Sequence, residues 1–159
     1  MYTKILVPLD GSRFAEQALP HALNIAAAGN VEIHLLSIAP QLDDQAHSVV
    51  DMYPVYVYRD YMVNHASESN RIKQGLQDYL DQVTHRISVA GHAVVSAVRF
   101  GQPADEIISY ASENGCELII MSTHGRSGIG RWVYGSVADK VLRGSATPVL
   151  LVRVQEQAD

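Results

Sequence analysis

Five short apolar runs separate four stretches of helical periodicity along this chain, and their alternation is the first thing the sequence fixes. Lys4 to Leu9 reads Lys-Ile-Leu-Val-Pro-Leu and stops at Asp10-Gly11-Ser12, a turn with a helix-capping signal. From Arg13 to Ala28, Phe14, Ala18, Leu19, Ala22, Leu23, Ile25 and Ala26 recur at helical spacing. Pro20 within that pattern predicts a kink or a later start, and Gly29-Asn30 an end. Val31 to Ile38 is a second strand, closed by Pro40. Ser67 to Ala90 is helical, with Ser67 or Ser69 as cap and Ile72, Leu76, Tyr79, Leu80, Val83 and Ile87 on one face. Ala93 to Arg99 forms a third strand. Pro103 opens a helix through Asn114 that turns Ala104, Ile107, Ile108 and Ala111 inward, with Gly115 as its C-cap. The run from Leu118 to Met121 is a fourth strand. Ser136 to Arg143 is the last helix, with Ser136 as its expected N-cap, and Pro148 to Val154 is a fifth strand.

The strands are too apolar for a sheet wetted on one side. A β-α-β-α-β-α-β-α-β order with such strands predicts an α/β fold, a single-domain open five-stranded parallel sheet with helices on both faces, Rossmann-like in kind. The domain is expected over 1–154, with 155–159 a frayed tail. Residues 41–66 fit no element and read as a long insertion or loop. Four of the eight tyrosines fall between Tyr53 and Tyr61. They suit an apolar edge or partner surface, or alternatively a lid stacked on a bound base.

In such sheets ligands sit beyond the carboxyl ends of the strands, where the strand order reverses. The ends of the first, second and fourth strands converge there. After Met121 comes Ser-Thr-His-Gly125-Arg-Ser-Gly128-Ile-Gly130, and Gly135-Ser136 then opens a helix. Strand, glycine loop and helix start in that order make a phosphate cradle, because glycine admits an anion close to the backbone and the first helical N–H groups point at it. Glycine content alone fits a plain connector equally well. No lysine precedes Ser136, so the P-loop pattern is not met, and the three loop glycines do not follow the dinucleotide fingerprint. Asp10 at the rim suits a ribose hydroxyl, or a cap on the first helix; the two roles are compatible.

Composition narrows the classes. The 159 residues, 47% hydrophobic, suit one domain with a sizeable core. A formal charge of -5 argues against a general nucleic-acid or anionic-membrane surface. The single cysteine, Cys116, precedes a buried strand and reads as an inert thiol in a reducing compartment. No apolar run is long enough to cross a bilayer and the N-terminus passes directly into a strand pattern, which leads us to expect a cytoplasmic protein. Histidines 21, 34, 47, 65, 85 and 92 show no metal-ligand spacing, so no zinc site is expected.

Lys-Ile-Leu-Val-Pro-Leu-Asp-Gly-Ser at the start, Ser-Thr-His-Gly-Arg-Ser-Gly with Gly-Ser-Val-Ala-Asp-Lys-Val-Leu-Arg near the end, and Thr-Pro-Val-Leu-Leu-Val after them together resemble the universal stress protein family over nearly the whole length. The resemblance implies the adenine-nucleotide alpha-hydrolase-like variant of the fold. ATP-binding members carry G-x2-G-x9-G-S/T. Gly125 and Gly135-Ser136 match it here, while the first glycine is Ser122, which adds a side chain near the nucleotide. Position by position, the resemblance implies that Pro8, Leu9 and Asp10 hold adenine or ribose and that Ile38 flanks the base. Met121 and Ser122 line the ribose side, and Gly125, Gly135, Ser136 and Val137 meet the phosphates. Gly128 belongs to the same loop, Arg126 adds charge, and His124 is part of the motif. The implied ligand is ATP, with or without Mg²⁺, with ADP and AMP as alternatives. The implied partner is a twin chain paired through strand 148–154.

Three functions follow, in order of preference. The first is a dimeric nucleotide-dependent regulator of the stress response with little or no hydrolysis, since no P-loop lysine, acidic pair for Mg²⁺ or evident base for water is present. The second is a slow ATPase or phosphotransferase using Arg126, His124 or Asp10. The third is a dimeric interaction module that binds no nucleotide, Ser122 marking a decayed site. No catalytic residue is assigned under the first.

Overall fold

The computed structural model describes residues 1–40, 65–124 and 135–154. The Tyr53–Tyr61 segment, most of the glycine loop and the C-terminal tail lie outside them. Five parallel strands, β1 (Lys4–Pro8), β2 (Glu32–Ala39), β3 (Val94–Phe100), β4 (Leu118–His124) and β5 (Val149–Val154), form one sheet in the order β3-β2-β1-β4-β5. Between them lie α1 (Leu19–Ala27), preceded by a 3₁₀ turn (Ala15–Ala18), then α2 (His65–Val89), α3 (Pro103–Glu113) and α4 (Ser136–Gly144).

The period-two alternation of the strands divides two apolar layers. Ile5, Val7, Ile33, Leu35, Leu118 and Ile120 meet the 3₁₀ turn, α1 and α2 through Ala18, Leu19, Ala22, Leu80, Val83 and Ile87. Leu6, Leu36, Ile119 and Met121 face α3 and α4 through Ala104, Ile107, Tyr110, Ala111, Ala138 and Val141. The central strands are therefore buried on both sides, which is why they read as continuous apolar runs. Burying one such Leu or Ile side chain is worth about 1.5–3 kcal/mol.

Local signals place most of the helix ends. Pro20 delays α1 to Leu19, and the residues before it form only the 3₁₀ turn. Gly115, at φ +64°, closes α3: its N–H donates to Ser112 O at 3.3 Å and the Cys116 N–H to Ala111 O at 2.9 Å, a paired closure that needs a left-handed residue. Two expected caps are corrected. Ser67 and Ser69 lie inside α2, which already runs at His65, so the helical pattern extends further upstream than serine content suggested. Gly135, not Ser136, is the N-cap of α4, and no side chain bonds into that cap; the extended backbone of Gly135 (ψ 147°) makes Ser136 the first helical residue. The fourth strand also runs on from Met121 to His124, because β5 continues to pair with it through Val154.

Candidate functional site

The sheet opens at its carboxyl edge. β1 pairs with β2 from Lys4 to Pro8 and β4 pairs with β5 from Ile119 to His124, yet β1 and β4 are in register only at Ile5–Leu118 and Leu6–Ile119. Beyond those two pairs the central strands part. The crossover direction reverses at the same place, β2 and β3 lying to one side and β4 and β5 to the other, so this is the switch point at which open α/β sheets take their ligands.

Three of the expected site residues, Ile38, Met121 and Val137, border the apolar layer under α3 and α4. Pro8 shares that face by its alternation with Leu6. Leu9 is buried on the opposite face, with its N–H on Leu36 O at 2.8 Å and its carbonyl accepting from Ser37 Oγ at 2.7 Å. Asp10 is exposed on the rim. Its Oδ1 accepts the Ser12 N–H at 2.9 Å, and the Ser12 hydroxyl in turn accepts the Ala15 N–H at 3.0 Å. Asp10 thus shapes the turn after β1, while the Ser12 hydroxyl ties that turn to the start of the 3₁₀ segment. Asp10 also adds its charge to those that push the Tyr79 hydroxyl above its ordinary range, behind burial and the Glu16 carboxylate.

Ser122 is in register with Val152, which packs in the α1/α2 layer, so the Ser122 side chain projects to that face and away from Met121. His124 ends β4, and Gly125, Arg126 and Gly128 lie outside the described residues. Gly135 opens α4 with φ -52° and ψ 147°, and a Cβ built on it meets no atom of the described residues within 4 Å. Neither its backbone angles nor packing by those residues requires glycine at this position.

A cleft of about 220 Å³ lies between the starts of α3 and α4, lined by Gln102, Pro103, Ala104, Asp105, Ser136, Val137 and Lys140. Both helices begin here without a side-chain cap, so their first N–H groups are available to a ligand. Sequence reading missed Gln102–Asp105 and Lys140. The signal for the former was Gly101-Gln102-Pro103 at a strand end. Gly101 is favoured there by its φ of +142°, a backbone conformation that other residues rarely adopt. Lys140 lies one turn after Ser136 on the same helix face. Pro8, Asp10 and Ile38 do not line this cleft.

The model of the universal stress protein family matches residues 1–153. The chain belongs to the universal stress protein family. Universal stress protein MJ0531 of Methanocaldococcus jannaschii is 31% identical over 153 residues, covering 96% of this chain and 83% of that one. Universal stress protein YxiE of Bacillus subtilis is also 31% identical over 153 residues, covering 96% of this chain and all of its own length (100%). Among solved structures, that of protein MJ0577 superposes with a TM-score of 0.71 at 25% identity over 99% of both chains. A universal stress protein in complex with cAMP shares the fold with a TM-score of 0.67 at 23% identity, over 97% of this chain and 99% of the other. So does an Arabidopsis thaliana family protein with AMP bound, with a TM-score of 0.61 at 16% identity over 97% and 93%. These matches agree with the family that the terminal motifs pointed to, and with its α/β fold.

Proposed function

We propose that this universal stress protein is a regulator that binds an adenine nucleotide, ATP foremost, at the parted carboxyl ends of β1 and β4. Gly135 carries the reading. Gly135 serves as N-cap, and among the described residues a Cβ there would meet nothing, so this glycine keeps open the approach to a helix start whose N–H groups no side chain caps. Pro8, Ile38 and Met121 supply apolar surface for the base, Leu9 and Asp10 the rim beside it, and Gly125, Gly135, Ser136 and Val137 the phosphate side. Arg126, Gly128 and His124 complete the loop in this reading, and Lys140 adds a positive charge near the start of α4. The cAMP and AMP complexes of fold neighbours support an adenine nucleotide as the ligand class.

Ser122 does not close the site in this account. Its side chain leaves β4 on the face opposite Met121 and Val137, so the hydroxymethyl group avoids the phosphate side. We also propose a homodimer through residues 148–154. Among the described residues β5 pairs only with β4, and Leu150 on it is 37% exposed; an open apolar edge of this kind favours association.

Calorimetric titration of the nucleotide-stripped chain with ATP, AMP, cAMP and adenosine, with and without Mg²⁺, tests the reading when run beside a phosphate-release assay. Tight binding without turnover supports it. Sustained turnover that disappears in Asp10→Ala would replace it with the slow ATPase. No binding to a folded dimer would leave the interaction module, and a monomeric mass at micromolar concentration would remove the dimer.

A further inference from the structure

Among the described residues, two buried side-chain hydroxyls have no hydrogen-bond partner, Thr84 Oγ1 and Thr123 Oγ1. Folded proteins rarely leave such groups unpaired, and each calls for an explanation. Thr84 lies inside α2, remote from the carboxyl edge. Thr123 is different. It is the penultimate residue of β4 and only 5% exposed, and alternation with Ile119 and Met121 sets it on the face covered by α3 and α4. Helix α4 starts above that end of the sheet with an N-cap that no side chain bonds. A hydroxyl without a partner among the described residues thus shares its face and its edge with helical N–H groups that no described side chain caps. The helical N–H groups are donors and the hydroxyl can act as one, and such groups near the start of a helix fit an anion better than a neutral group.

We infer that Thr123 Oγ1 donates a hydrogen bond to a phosphate oxygen of the bound nucleotide. The inference rests on the nucleotide reading and adds to it a residue that specifies the phosphate rather than the nucleoside.

The test compares wild type with Thr123→Val, Thr123→Ser and Thr84→Val, each titrated with ATP and with adenosine and each melted without ligand. Valine keeps the shape of threonine and removes only the hydroxyl. Thr123→Val should weaken ATP about tenfold, the loss of one hydrogen bond to a charged group, with adenosine binding unchanged and the ligand-free melting temperature equal or higher. Thr123→Ser should hold ATP affinity within about twofold of wild type, and Thr84→Val should leave it unchanged. Unaltered ATP affinity in Thr123→Val, equal losses for ATP and adenosine, or a lower ligand-free melting temperature would each overturn the inference while leaving the nucleotide reading in place. Failure of the wild-type chain to bind ATP would remove both.

Discussion

The two edges of this sheet are built from the same strands and treat their polar groups differently. At the amino edge a network of side chains is paired. Glu117 accepts the Thr3 N–H and hydroxyl and, at 3.3 Å, the Lys4 N–H, and these bonds hold its carboxyl below the ordinary range. Lys4 donates to Asn114 O at 3.3 Å and lies 4.0 Å from Glu32. His34, 4% exposed, has Nε2 2.7 Å from Glu32 Oε1 and Nδ1 3.0 Å from the Tyr110 hydroxyl. Burial pushes Tyr110 up and so keeps it protonated and able to donate, while the Arg99 guanidinium, reaching over from the carboxyl end of β3, stacks 4.8 Å from its ring centroid. The carboxyl edge, among the described residues, leaves the Thr123 hydroxyl without a partner, two helix starts without side-chain caps, and a glycine at one of those starts whose Cβ position is open. One edge closes the structure. The other keeps donors in reserve, and reserve of that kind marks where a ligand belongs.

This contrast can be broken or sharpened by substitution. The largest effect is expected at Gly135. Gly135→Val should reduce ATP affinity by about a hundredfold or more and lower the ligand-free melt only by the modest cost of a β-branched residue at an N-cap, because a Cβ there meets no atom of the described residues; equilibrium titration and thermal melts of one preparation check both halves. At the amino edge the Cys116 thiol is pushed up to about 11 by burial. At pH 8 it should therefore react with iodoacetamide about two orders of magnitude more slowly than an unfolded thiol, which mass spectrometry with and without urea would measure. A native rate matching the unfolded one would show that this edge is open too.

Tyr110→Phe should cost about 1–3 kcal/mol of stability in denaturant unfolding, since it strips a buried histidine nitrogen of its partner, and should leave nucleotide affinity intact. A drop in affinity instead would mean that the two edges are coupled. Glu117→Gln should have the smallest effect. A folded carboxyl held below its unfolded value stabilises above that unfolded value and loses its contribution as pH falls through the folded one. The variant should therefore be less stable than wild type at neutral pH, and the difference should shrink on acidification below about pH 4; melts across that range decide it.

Much of the fold was legible. Apolar runs on both sides of periodic helices identified a doubly covered parallel sheet, and Pro20, Pro103 and Gly115 set helix ends by local backbone chemistry that needs no tertiary context. The cap of α4 was not legible, because Gly135-Ser136 offers two adjacent candidates and the choice rests on the approach of the preceding chain. The bond between His34 and Tyr110 spans 76 positions, and no periodicity links residues so far apart; His34 looked like one more isolated histidine. Among the candidate site residues, the motif glycines were placed by the family resemblance and Asp10 by its position at the end of the first strand. Thr123 could not, since an unpaired hydroxyl becomes visible only when its surroundings are known. The cleft residues Gln102–Asp105 come from a different crossover and meet α4 only through the sheet order.

The most direct test of the nucleotide site is a calorimetric titration of ATP into the nucleotide-stripped chain, run in parallel on Gly135→Val. Micromolar binding by the wild type, lost in a variant that still unfolds cooperatively, is the expected result. Equal binding by both proteins, or no heat from a folded wild-type chain, would contradict the assignment of this edge as a nucleotide cradle.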